Sequence, residues 1–152
     1  MNRNEISASI DIDAPPNEVW DVVSDLKRMG EWSPQCRKMF ILGREVKKGT
    51  RTLNINHAGK LHWPTNAKVI EFEPNKKIAF RIVENRTVWT YELEPTATGT
   101  TLTESRKAPN GVSVPSNFAT ERGMGGIEKF EASLERGIIK TLARIKAEVE
   151  TA

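Results

Sequence analysis

The stretch Ile127-Glu-Lys-Phe130-Glu-Ala-Ser-Leu134-Glu-Arg-Gly-Ile138-Ile-Lys-Thr-Leu142-Ala-Arg-Ile145-Lys-Ala-Glu-Val149 decides the architecture. Its apolar residues recur at steps of three and four with charged residues between them, the period of an amphipathic helix carrying one apolar stripe. So long a stripe needs a broad apolar surface to lie on.

That surface is supplied upstream. Alternating segments at about 38–42, 50–57, 61–72, 77–83, 88–94 and 99–107 are separated by Gly, Pro and Asn, the punctuation of successive hairpins. At the start of the chain, Ile6, Ala8, Ile10 and Ile12 alternate with polar residues and predict a first strand with one buried face. Asp13-Ala-Pro-Pro ends it, with Asp13 placed to cap a short helix over about 15–23. A second short helix or turn over 24–31 stops before Trp32-Ser-Pro34, because the residue before proline is pushed out of helical geometry. The expected fold is therefore α+β: about seven antiparallel strands curved round a long C-terminal helix, with two short helices after the first strand. This is a helix-grip arrangement in a single domain of residues 1–152, and it leaves room for an apolar cavity between sheet and helix.

Composition narrows the chemistry. The chain of 152 residues is long enough for one core. Its single cysteine, Cys36, excludes an internal disulfide, and no Cys/His spacing suits zinc, so neither a metal nor another cofactor is expected. No apolar run approaches the ~20 residues that cross a bilayer, and the polar start does not resemble a signal peptide. A cytoplasmic address is the expectation. Between Lys27 and Arg51 eight basic residues face two acidic ones, Glu31 and Glu45. Such a segment attracts acidic partners, but it lacks aromatic interleaving and a recognition motif, so a solvated basic face is preferred over a nucleic-acid or ribosome contact.

Several stretches resemble the polyketide cyclase/dehydrase and lipid-transport family of the START-like (SRPBCC, birch-pollen-allergen-like) superfamily. They are Asp13-Ala-Pro-Pro-Asn-Glu-Val-Trp-Asp21, Glu31-Trp-Ser-Pro-Gln-Cys36, His62-Trp-Pro-Thr65, Trp89-Thr-Tyr-Glu-Leu-Glu-Pro95 and Gly99-Thr-Thr-Leu-Thr-Glu104. The opening Ala-Pro-x-x-Val-Trp-Asp is shared across the superfamily and speaks for fold. The resemblance implies binding of a small hydrophobic molecule, such as a lipid, polyketide or aromatic metabolite, under the long helix. A minority of such proteins catalyse cyclisation or dehydration there, and others act as protein-interaction or ribosome-interaction modules.

Candidate contacts follow from the inner strand faces. Trp32 and Cys36 lie where the short helices meet the sheet, and each has a structural reading as a core plug or an inert thiol. A nucleophilic Cys36 would need a depressed pKa and a base, and only His57 and His62 exist, without a motif. Thr52, Asn54 and Asn56 share one face of their strand while Leu53, Ile55 and His57 share the other. Alternation alone slightly prefers this polar set outward and solvated, whereas the family likeness turns Asn56 inward. Trp63 with Thr65, and Trp89 with Tyr91, place large side chains with polar handles on single faces, suited to filling a core or lining a pocket. Phe130 meets them from the helix. Glu104 points the same way as Leu102, so its carboxylate must be paired, with Arg106 or Arg81 as partner, or contact a ligand, or transfer protons. The segment 108–126, with six Gly or Pro residues, is expected to be a mobile lid beside the cavity mouth.

Overall fold

The computed structural model describes residues 5–108 and 127–151, apart from the side chains at 127, 128 and 130. The elements run β1 (Glu5–Ile12), α1 (Pro16–Val23), a single 3-10 turn (Leu26–Arg28), α2 (Met29–Trp32), β2 (Cys36–Leu42), β3 (Arg51–Ala58), β4 (Leu61–Glu73), β5 (Lys77–Ile82), β6 (Val88–Pro95), β7 (Thr100–Lys107) and α3 (Ile127–Thr151). The expected elements appear in their expected order. Of the expected lid over 108–126, all but the buried Ala108 lies outside the described residues.

One antiparallel sheet of seven strands holds the order β1-β7-β6-β5-β4-β3-β2. β2 to β7 form a meander of hairpins, and β1 closes the far edge against β7. β1 and β2, separated in sequence only by the short helices, are thus the two edges of the sheet. The chain from Pro16 to Trp32 spans from one edge towards the other, with α2 and the 3-10 turn seated on β2. Gly30 permits that seat: a Cβ there would lie 2.0 Å from the carbonyl oxygen of Arg37.

α3 lies mainly along β1, with contacts to α1, α2 and β7. Its stripe Leu134, Ile138, Leu142, Ile145 and Val149 is buried against Ile6, Ile12, Leu93 and Leu102 among others. Burying a side chain of this size contributes about 1.5–3 kcal/mol, so tertiary packing rather than intrinsic propensity holds the helix. Beyond the helix, Trp20 meets Phe72 edge-on at 5.3 Å and completes the core at the other end of the sheet.

One local expectation is corrected. Asp13 does not cap α1: Pro15 occupies the N-cap position, no side chain caps it, and a proline follows in the first turn. The Asp13 amide instead donates to Glu150 Oε2 at 2.8 Å, tying the end of β1 to the end of α3. Glu150 also pairs with Lys146, whose ammonium donates to the Asp11 carbonyl.

Candidate ligand-binding cavity

A cavity of about 430 Å³ opens between α3 and the sheet. Its walls are the linker Ser33 to Gln35 ahead of β2, the β3–β4 hairpin end at His57 to Gly59, Trp89 of β6, Glu104 of β7, and one flank of α3. That flank presents Ser133, Gly137 and Thr141 at helical spacing beside Leu134 and Ile138. Small residues hold the helix backbone close to the cavity without filling it. A Cβ on Gly137 would stand 3.4 Å from Pro34 Cγ, so this glycine keeps open the gap between helix and linker.

Trp89 presents its ring to the cavity because its polar edge is occupied elsewhere. The indole N–H donates to Thr87 Oγ1 at 3.2 Å, and that hydroxyl donates to Asn85 Oδ1 at 2.6 Å in the β5–β6 turn. Glu104 is the cavity's buried carboxyl, 3% exposed. Tyr91, its cross-strand partner, donates its hydroxyl to Glu104 Oε2 at 3.1 Å. Among the described residues Oε1 has no hydrogen-bond partner. Burial pushes this carboxyl up to about 8, against the opposing pull of the Tyr91 hydrogen bond. Near neutral pH it therefore holds its proton. Tyr91 is itself driven well above its ordinary value, first by burial and then by Glu104, so it remains a donor.

The expected partner of Glu104 is corrected as well. Arg106 pairs with Glu131 of α3, Nη2 to Oε2 at 3.5 Å with both side chains buried, and Arg81 lies exposed. Residues two apart on a strand share a face but sit about 6.6 Å apart, and the helix delivers Glu131 over the second of them.

The polar set of β3 lies on the concave side. Thr52 and Asn54 are buried and Asn56 is half-buried, while Leu53 and Ile55 take the other face. They form a ladder with β4: Thr52 Oγ1 donates to Asn54 Oδ1 at 2.8 Å, and Thr65 Oγ1 accepts from Asn54 Nδ2 at 3.3 Å and from Asn56 Nδ2 at 2.9 Å. These groups satisfy one another, and none borders the cavity described above.

Of the sequence candidates, Trp89 and Glu104 form part of the cavity wall, and Tyr91 reaches it only through Glu104. Trp32, Cys36, Asn56, Trp63 and Thr65 stand outside that wall. Trp32 is a core side chain, 3% exposed, with the Arg28 guanidinium 4.6 Å from its ring centroid. The Cys36 thiol is raised to about 11 by burial, the opposite of what a nucleophile requires. The side chain of Phe130 lies outside the described residues. Strand alternation missed His57, because the strand ends beside it at a turn with Gly59 in the left-handed region. Sequence reasoning also missed Ser133, Gly137 and Thr141, which recur at steps of four beside the apolar stripe.

Among the described residues no group of three or more His, Cys, Asp or Glu side chains is placed to hold a metal ion. None of the described helices is long and apolar enough to cross a membrane.

The whole chain has structural counterparts. It is 30% identical to the Polyketide_cyc-like protein Cgl2372 from Corynebacterium glutamicum, whose solution structure matches 99% of this chain and 94% of that one with a TM-score of 0.68. The Zhui aromatase/cyclase from Streptomyces sp. R1128 superposes with a TM-score of 0.77 at 17% identity, covering 96% of this chain and 93% of that one. The protein TTHA0849 from Thermus thermophilus gives 0.72, also at 17% identity, over 97% of both chains. At 17% identity these two likenesses concern the fold alone. Among curated proteins none matches this chain. The family model described as polyketide cyclase / dehydrase and lipid transport matches residues 3–150, and the chain belongs to that family.

Proposed function

We propose that residues 1–152 act as one domain that binds a small, largely apolar molecule between α3 and the sheet and holds an oxygen of that molecule with Glu104. The observation that carries this reading is Glu104, a cavity-wall residue whose buried carboxyl oxygen Oε1 has no partner among the described residues. Leaving such a group unsatisfied costs about 1–3 kcal/mol, which a ligand oxygen recovers. The volume supports it too, since pockets for small molecules commonly span about 300–1,000 Å³. Trp89, Leu134 and Ile138 supply apolar contact, worth about 25 cal/mol per Å² of apolar area removed from water. Organic extraction of the purified protein, with native mass spectrometry before and after, tests this reading: a stoichiometric adduct that Glu104→Gln weakens supports it. Failure of the unextracted and extracted protein alike to take up any apolar ketone, phenol or lipid contradicts it.

A cyclase or dehydratase reading rests on the same carboxyl. A proton-transfer group works best near the operating pH, and burial brings Glu104 there. Turnover of a poly-β-ketone substrate that disappears in Glu104→Gln, with binding retained, favours catalysis over carriage. Unchanged turnover removes Glu104 from that role.

A further inference from the structure

The convex face of the sheet is divided in a way that the cavity does not explain. Cross-strand register places Lys38, Ile55 and Pro64 in one row across β2, β3 and β4. Phe40, Leu53 and Asn66 form the next row, and Leu42, Arg51, Lys68 and Arg81 the row after, extended onto β5. Apolar side chains therefore lie between Lys38 at one end and the cationic row Arg51, Lys68 and Arg81 at the other. On the other half of the same face the rows are Glu92, Thr103 and Ser9, then Glu94, Thr101 and Asp11. The first half is predominantly cationic and apolar, though Glu84 binds Asn66 at its centre, and the second is predominantly acidic and hydroxylic, though Lys77 lies opposite Glu92.

Two facts indicate that the first half is more than a solvated surface. From 46 to 70 the sequence carries five Lys or Arg residues and no Asp or Glu. Of the five large apolar side chains exposed among the described residues, two, Phe40 and Leu42, are on this face of β2. β2 is also a sheet edge. Lys38 holds its ammonium 5.1 Å from the Phe40 ring centroid, so charge and apolar contact belong to one surface.

We propose that this convex face of β2, β3 and β4 docks on an anionic phospholipid bilayer. Cations attract the headgroups, while Phe40 and Leu42 enter the boundary between headgroups and acyl chains, the composition of an interfacial surface. A nucleic acid is a poorer fit, because Phe40 is the one exposed aromatic in these rows and offers no series of stacking platforms. A bilayer also suits the position of the cavity, one wall of which is the hairpin end of the same strands. Docking needs no ligand in the cavity, so it stands or falls separately from the binding proposed above.

The test is co-sedimentation of the full chain with vesicles of phosphatidylcholine alone and of equimolar phosphatidylcholine and phosphatidylserine. Binding to the anionic vesicles alone, weakened by added salt, is expected. The double variant Arg51→Gln and Lys68→Gln should lower partitioning about 25-fold, about fivefold for each cation removed. The charge-conserving Arg51→Lys and Lys68→Arg pair should retain it, which separates loss of charge from loss of fold. Phe40→Ser should weaken binding while leaving the salt dependence in place. Equal partitioning onto both vesicles, none onto either, or an unaffected double variant overturns the proposal. Salt-sensitive retention of single-stranded RNA, or of a second copy of the chain, without vesicle binding also overturns it.

Discussion

Tyr91 and Glu104 face each other across β6 and β7, and the tyrosine hydroxyl satisfies one carboxyl oxygen at 3.1 Å while the other, also buried, has no partner among the described residues. The pair differs from a structural ion pair in one respect. Its carboxyl is kept neutral by burial rather than charged by a cation, so it can donate a hydrogen bond near pH 7.

This neutral carboxyl gives stability a pH dependence of known sign. In the folded protein Glu104 titrates at about 8, against an ordinary value of 4.5, so the folded state keeps a proton that the unfolded chain has released. Raising the pH from about 4.5 to about 8 should therefore destabilise the protein by a few kcal/mol through this group, with no further loss above that range. Glu104→Gln should flatten this component. Urea midpoints for both proteins across the range check it, and parallel pH profiles would contradict it.

At Gly137 the cavity and the helix make opposite demands. Glycine within a helix costs about 0.5–1 kcal/mol relative to alanine, so Gly137→Ala should raise the melting temperature slightly, its Cβ meeting Pro34 Cγ at contact distance. Gly137→Leu should fill the gap and weaken ligand binding by at least about tenfold, or ~1.4 kcal/mol. Calorimetric titration distinguishes this from a passive helix position, where affinity would not change.

Gly30 has no such latitude. A methyl group there meets the Arg37 carbonyl at 2.0 Å, so α2 must lift from β2 and carry the linker wall of the cavity with it. Gly30→Ala should cost about 1–3 kcal/mol, the range for overpacking. Chemical denaturation measures it.

Arg106 and Glu131 join β7 to α3 beneath solvent. Replacing Glu131 alone by leucine removes a buried partner of the Arg106 guanidinium and should destabilise the fold. The double variant Arg106→Met and Glu131→Leu should recover most of that loss. A double-mutant cycle on unfolding free energies reads the difference, and additive losses would argue against a coupled pair.

Periodicity made the scaffold legible. The steps of three and four in α3 and the turn residues between strands located every described element, because a buried face and a tight turn each demand particular residue types. The site was less legible because it depends on what another element brings to a strand. Glu104 was identifiable as a carboxyl on an apolar face, yet its partner required the cross-strand register that sets Tyr91 opposite it. Likewise, Arg106 was drawn to Glu131 by the placement of α3, which strand alternation does not encode. The inward polar ladder of Thr52, Asn54 and Thr65 resisted alternation for a further reason. Its members satisfy each other's hydrogen bonds, so a polar strand face can be buried without penalty.

Whether Glu104 meets a bound apolar molecule inside the cavity can be read by carboxyl-detected NMR. With selectively labelled glutamate and tryptophan, titration with a tricyclic aromatic ketone such as anthrone should saturate. It should shift the Glu104 carboxyl and the Trp89 ring, displace the Glu104 pKa from about 8, and leave the side chains of the convex face unmoved. A ketone that binds while the Glu104 signal and its titration stay unchanged would show that Glu104 does not hold the ligand.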